Sequence, residues 1–202
     1  MPDWMSEYHR VSAAYEEEFR RNRQLHGTRI RCERGCSECC HQLFQITELE
    51  AVEISRGVRS LPPEQAEVLR ARADAYLSAR KVLTGAPDEP EAWGSLPPPG
   101  SRLACPALDE GACAIYPHRP LICRKFGIPL WNPDRPGRVY ACALNFREGD
   151  EISDGQLIQI QTALHVDWKG VQAAYSRAGQ WRDPDALTVA RAIVEDFSER
   201  VS

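Results

Sequence analysis

Arg31-Cys32-Glu33-Arg34-Gly35-Cys36-Ser37-Glu38-Cys39-Cys40-His41 is the stretch on which the reading of this chain turns. Half of the eight cysteines fall inside it, in the frame Cys-x3-Cys-x2-Cys-Cys. The other half, Cys105, Cys113, Cys123 and Cys142, follow a long interval without cysteine. Core packing does not call for such clustering. Thiolates are soft ligands that select zinc, iron–sulfur clusters or copper(I).

Disulfides are the competing use of cysteine, and they persist where chains are exported. An export signal needs a basic stretch followed by an apolar one. This chain opens Met-Pro-Asp-Trp-Met-Ser-Glu-Tyr-His-Arg, with acids where the apolar stretch would lie. No apolar run approaches the length of a membrane span. The expectation is a cytoplasmic protein with no membrane association, in which clustered thiols bind metal. Cys39 and Cys40 are also poor disulfide partners for each other, their Cα atoms being too close for good geometry.

The 202 residues suit a single domain spanning 1–202. Within it, 30–146 is expected to form the cysteine-rich metal-binding core and 150–202 a helical C-terminal extension. A formal net charge of −4 argues against nucleic acid as a partner, which would call for a basic stripe. Arg20, Arg21 and Arg23 follow closely on Glu16-Glu17-Glu18, a pattern typical of a solvated helix face with mixed charge.

The predicted fold is mainly α, with helices around an irregular cysteine-rich core and at most short β-hairpins. Trp4, Tyr8, Val11, Tyr15 and Phe19 recur at helical spacing, which predicts a helix over about 4–23. Thr47-Glu48-Leu49-Glu50 has the form of a capping box and should start a short helix ending near Gly57. Pro62-Pro63 should open the next helix, running to about Leu83 with Ala66, Leu69, Ala73, Tyr76 and Leu77 inward and Arg72 on the exposed side. The prolines of 85–100, around Trp93, predict a loop.

From Arg102 to Asn145 the helical period is lost. Cys105 to Cys113 reads as a tight reversal with Asp109-Glu110-Gly111 at its tip. Ile128–Trp131 and Arg138–Ala141 are predicted strands joined by a turn-rich segment. Helices then resume through Leu157, Ile160 and Leu164. A last helix is predicted to start at Asp183-Pro184 and to carry Leu187, Ala190, Val194, Phe197 and Val201.

Cys32, Cys36, Cys39 and Cys40 would share one face of a helix, or gather around a turn at Gly35 with Cys36 and Cys39 as a knuckle. Both arrangements bring thiols together. The side chains of Cys39 and Cys40 diverge in any regular structure, so a polynuclear centre or two neighbouring centres would use both more readily than one tetrahedral ion. Four-plus-four cysteines can fill two closed zinc sites. They can equally hold a four-iron–four-sulfur cluster with ligands to spare. Arg119 and Arg124, with Lys125, flank Cys123 and are candidates to offset thiolate charge from the second coordination sphere. His41 and His118 are read as polar neighbours rather than ligands.

Taken together, Cys32-x3-Cys36-x2-Cys39-Cys40, Cys105-Pro-x-Leu, the string Cys113-x-Ile-Tyr-x-x-Arg119-Pro-x-x-Cys123-Arg-x-Phe, and Cys142 resemble the YkgJ-like cysteine-cluster family of zinc- or iron-chelating proteins. The resemblance spans roughly residues 30–146. It implies a centre of iron, including a 4Fe-4S cluster, or of zinc. One departure is the first gap, often two residues in relatives and three here, which makes Cys32 the odd member of the set. Some relatives resemble flagellin lysine methylases with an iron–sulfur centre, which implies a protein or peptide partner and an enzymatic alternative. A zinc-stapled interaction module is the other alternative. No phosphate-binding loop, zinc-protease helix or nucleophile elbow accompanies the cysteines, so the sequence names no catalytic residue.

Overall fold

The computed structural model describes residues 3–85, 100–147, 149–178 and 187–198. Its backbone divides into two units, each built from two chain segments: Met1–Glu33 with Leu121–Gly179, and Arg34–Pro120 with Gln180–Ser202. The architecture is mainly helical, with two short antiparallel hairpins.

In the first unit the aromatic stripe becomes α1 (Asp3–His26), which buries Trp4, Met5, Tyr8, Val11 and Tyr15. It runs one turn beyond the predicted end because the polar face is also held. Arg21 donates to both Glu18 (2.6 Å) and Asp154 (2.5 Å), and Asn22 donates to Glu18 at 2.8 Å. His26, at the end of the helix, sets its ring edge-on to Phe146 at 4.9 Å. The partner of α1 is α5 (Leu157–Arg177), which buries Leu157, Leu164, Val171 and Tyr175. Trp4 meets Tyr175 edge to face at 4.8 Å. A one-turn helix, α4 (Leu121–Lys125), also packs on α1, with Arg124 paired to Glu16 and the Lys125 ammonium 5.0 Å from the centre of the Tyr15 ring. The sequence, having no helical period there, did not foretell α4. The predicted strands form a hairpin, β3 (Leu130–Trp131) and β4 (Val139–Tyr140), with Leu130 opposite Tyr140.

The second unit centres on α2 (Glu48–Arg59), buried almost all round. A buried helix must satisfy its polar side chains internally. Thr47 and Glu50 do so through the full capping box. The Ser55 hydroxyl donates to the Ala192 carbonyl at 2.8 Å, and the Glu53 carboxylate meets His118 Nδ1 at 2.8 Å. The helix passes through Gly57 rather than stopping there. That glycine is a packing device: a Cβ on it would lie 2.6–2.7 Å from the Cβ and ring of His118.

α6 (Val189–Val194) packs on both α2 and α3 (Pro63–Thr84). Gly85, at φ 72°, ends α3. The start predicted at Asp183-Pro184 lies outside the described residues, as do Trp93 and Val201. The observed α6 opens at Thr188, whose side chain accepts from Arg191 N–H. Leu187 is therefore not helical; it is extended, and its carbonyl accepts from the Ile46 amide at 2.9 Å. No helix among the described residues is long and apolar enough to cross a membrane.

Candidate metal centre

Of the two arrangements open to the first four cysteines, the structure takes the turn. Gly35 adopts φ 95°, a conformation costly for any residue with a Cβ, and the helix that would align all four thiols does not form. After the turn, Ser37 leads into a 3-10 turn, Glu38–His41. The Cys40 amide donates to the Ser37 carbonyl at 2.9 Å, and His41 Nδ1 meets the same oxygen at 2.9 Å. Glu38 is gripped by Arg102 through both guanidinium nitrogens, at 2.5 and 2.9 Å. This pairing holds its carboxyl below the usual carboxylate range and anchors the segment that enters Cys105.

Cys105 is brought directly onto this turn, since its amide donates to the Cys40 carbonyl at 2.6 Å. The chain then reverses as predicted, through β1 (Leu108–Asp109) and β2 (Ala112–Cys113), with Cys113 opposite Leu108. Glu110 and Gly111 both take positive φ, 45° and 76°, as a two-residue hairpin turn of this hand requires. A Cβ on Gly111 would lie 3.4 Å from the Cα of Gly35, so the hairpin tip rests against the first cysteine turn. The second unit thus brings together the backbone segments that carry Cys36, Cys39, Cys40, Cys105 and Cys113.

Cys39 interacts with Cys40, and Cys105 with Cys39 and Cys113. A hydrogen bond with Cys40 lowers the Cys39 pKa to about 7 against the opposing effect of burial, helped by the amides of Cys39 and Cys40 and by the positive charge of Arg119. Arg119 itself stacks over the Tyr116 ring at 3.6 Å. Burial pushes Cys105 the other way, up to about 12; the amides of Ala107 and Leu108 oppose this, and charge on Cys113 and Cys39 adds to it. A bound cation would stabilise a buried sulfur such as Cys105 as a thiolate, because a metal inverts the local electrostatics and deprotonates its ligands. By donor chemistry the group fits a thiophilic metal. Among the described residues, no three His, Cys, Asp or Glu side chains already stand in a metal-holding arrangement.

The first unit carries the remaining cysteines. Cys32 follows α1, Cys123 sits in α4, and Cys142, buried where the other cysteines are half-buried, follows β4. Arg124 is buried and salt-bridged to Glu16. Arg72, read from sequence as a remote surface cation, instead pairs with Asp109 of β1 at 2.9 Å.

Sequence reasoning missed three residues here. Gly57 shapes the seat of His118, as described above. Gly127 adopts φ 111°, and a Cβ on it would fall 2.5 Å from Cys32 Sγ. Asn145, three residues beyond Cys142, is 3% exposed and donates to Cys32 Sγ. Neither Gly127 nor Asn145 is anomalous in sequence; only their pairing with Cys32 in space marks them.

Cysteines clustered on irregular backbone, held by arginines and short turns within a helical frame, define a thiolate-rich metal-binding protein. The chain belongs to the CxxCxxCC family, "Putative zinc- or iron-chelating domain", whose model matches residues 31–135. The metal class is accordingly zinc or iron. The match takes in every cysteine except Cys142. No curated protein and no solved structure matches the chain.

Proposed function

We propose that this protein holds iron or zinc through cysteine thiolates, with more than one metal per chain. Cys36, Cys39, Cys40, Cys105 and Cys113 would be donors in one unit, and Cys32, Cys123 and Cys142 in the other. Residues 30–146 would form the metal-binding part and the helices beyond 150 an extension of it. The observation that carries this reading is the thiol group of the second unit, in which Cys39 is hydrogen-bonded to Cys40 and in electrostatic contact with Cys105. These thiols exceed the four ligands that one tetrahedral ion takes. Adjacent sulfurs in contact suit a polynuclear centre, so iron held as a cluster is the first reading. Such a centre, once bound, would supply one-electron redox chemistry.

The chain's own residues set the conditions. Arg119 places positive charge beside Cys39, and the Cys39 and Cys40 amides point toward sulfur. Half-burial of the thiols limits water without sealing the group. Anaerobic purification, elemental analysis and visible spectroscopy test the reading. More than one iron per chain, with a visible charge-transfer band bleached by reductant, supports it. Colourless protein with stoichiometric zinc replaces the cluster with closed structural sites, which contribute folding energy and no redox chemistry. Absence of bound metal after reconstitution with either ion would sink both forms.

A further inference from the structure

Cys32 lies in the part of the motif where the chain departs from its family. The motif in the family's name has two residues in the first gap, and this chain has three. A displaced cysteine with no surroundings suited to sulfur would be a poor candidate ligand, yet Cys32 occupies a built seat. Asn145 is buried, and its carboxamide makes every bond on one site. Oδ1 accepts from the Arg31 amide at 2.9 Å, while Nδ2 donates to the Gly127 carbonyl at 2.6 Å and to Cys32 Sγ at 3.4 Å.

This pattern fixes which end of the carboxamide faces the sulfur. An amide oxygen and nitrogen can be exchanged only if their partners allow it. The Arg31 N–H can only donate and the Gly127 carbonyl can only accept, so Nδ2 must face Gly127 and Cys32. An amide nitrogen has no acceptor capacity, so Cys32 Sγ must be the acceptor. That role suits a thiolate better than a thiol, since bonds to ionised acceptors are the stronger ones.

The backbone beside Asn145 is equally specific. Gly127, at φ 111°, leaves open the space in which a Cβ would overlap Cys32 Sγ. The Asn145 amide also donates to the Cys142 carbonyl at 2.9 Å, so one residue ties together the segments bearing Cys32, Gly127 and Cys142. Asn145 Oδ1 and Nδ2 thereby fix both the backbone ahead of Cys32 and its sulfur.

We infer that Asn145 is a positioning residue for the metal centre: its Nδ2 donates to the Cys32 thiolate and holds that sulfur as a ligand despite the longer first gap. This rests on the metal reading above. Replacing the donor with an oxygen, in Asn145→Asp, keeps the size and the bond from Arg31 but sets a carboxylate against both the sulfur and the Gly127 carbonyl.

Zinc affinity of the full chain, measured by competition with a chromophoric chelator, is the test. Asn145→Asp should weaken the tightest zinc site by about tenfold to a hundredfold, the usual size of an outer-sphere loss. In a Cys32→Ala background the same substitution should weaken zinc far less, because the part of its effect that runs through Cys32 is gone and only the opposition to the Gly127 carbonyl remains. A purely structural asparagine would not show that coupling. Wild-type affinity in Asn145→Asp, or an equal loss with Cys32 already removed, overturns the inference while leaving the metal reading intact. A wild-type chain that takes up neither zinc nor iron overturns both. If Asn145→Asp does not fold, the side-chain amide resonances of Asn145 in the wild-type chain decide the matter. They should shift on zinc binding and shift again in Cys32→Ala; resonances indifferent to both refute it.

Discussion

Substituting alanine for Gly57 sets two familiar effects against each other at one atom. Gly57 lies within α2, where glycine is about 0.5–1 kcal/mol less favourable than alanine. Helix propensity alone therefore predicts a more stable protein. The structure predicts the reverse. The new Cβ would sit 2.6 Å from His118 Cγ and 2.7 Å from its Cβ and Cδ2. One of those atoms is the first of the side chain, so ring rotation cannot relieve the overlap. Either the Tyr116–His118 turn moves or α2 does.

Overpacking of this kind costs about 1–3 kcal/mol. If His118 is expelled instead, its 2.8 Å contact with the buried Glu53 carboxylate goes, and a bond to a charged group is worth about 1.5–3 kcal/mol. After subtracting the gain in propensity, the net loss is about 1–2 kcal/mol, or roughly 2–8 °C in melting temperature for a chain of this size. Thermal or urea unfolding followed by circular dichroism measures it. The decisive comparison is the His118→Gly background, where the clashing atoms are gone and Gly57→Ala should become stabilising by about 0.5–1 kcal/mol. No change of sign between the two backgrounds would refute the packing argument. Because His118 lies between Cys113 and Cys123, the single variant should also lower metal retention.

Arg119→Gln removes a positive charge that helps hold Cys39 near 7. In chelator-treated protein, alkylation of Cys39 at neutral pH should slow, and metal retention should fall by about tenfold to a hundredfold. Arg124→Gln tests the same role in the first unit. Exposed Lys169 on α5 supplies a control, which Arg72, paired with Asp109 of the cysteine hairpin, would not. Should both arginine variants match Lys169→Gln at the metal, their role is confined to packing and ion pairing. His26 supplies a pH dependence. Burial holds its pKa below the ordinary 6.5, so the folded state resists protonation that the unfolded chain accepts. Its contribution to stability is complete above pH 6.5 and is lost as pH falls through the lower folded-state value. His26→Phe should flatten the stability profile on the acid side, and an unchanged slope would assign that acid sensitivity elsewhere.

The parts legible in sequence were those governed by local rules. The aromatic stripe of α1, the capping box of α2, the proline start of α3 and the hairpin at Glu110-Gly111 each carry their cause within a few residues. The cysteines announced the chemistry for the same reason, since thiolate affinity belongs to the residue type. Illegible was whatever depends on a distant partner. Gly57 looked like a helix end because nothing nearby in sequence reveals His118 as the occupant of its missing side chain. Leu187 fitted a helical stripe, yet its carbonyl was claimed by Ile46 across a long interval. Cys32 looked like the least secure ligand on spacing alone, because the feature that seats it is divided between Gly127 and Asn145. Spacing measures distance along the chain, whereas a sulfur's fitness as a ligand is set by what donates to it and what leaves room for it. A three-residue gap therefore does not disqualify Cys32, and a variant that restores the two-residue gap by deleting Glu33 or Arg34 should bind metal less well in this chain, not better.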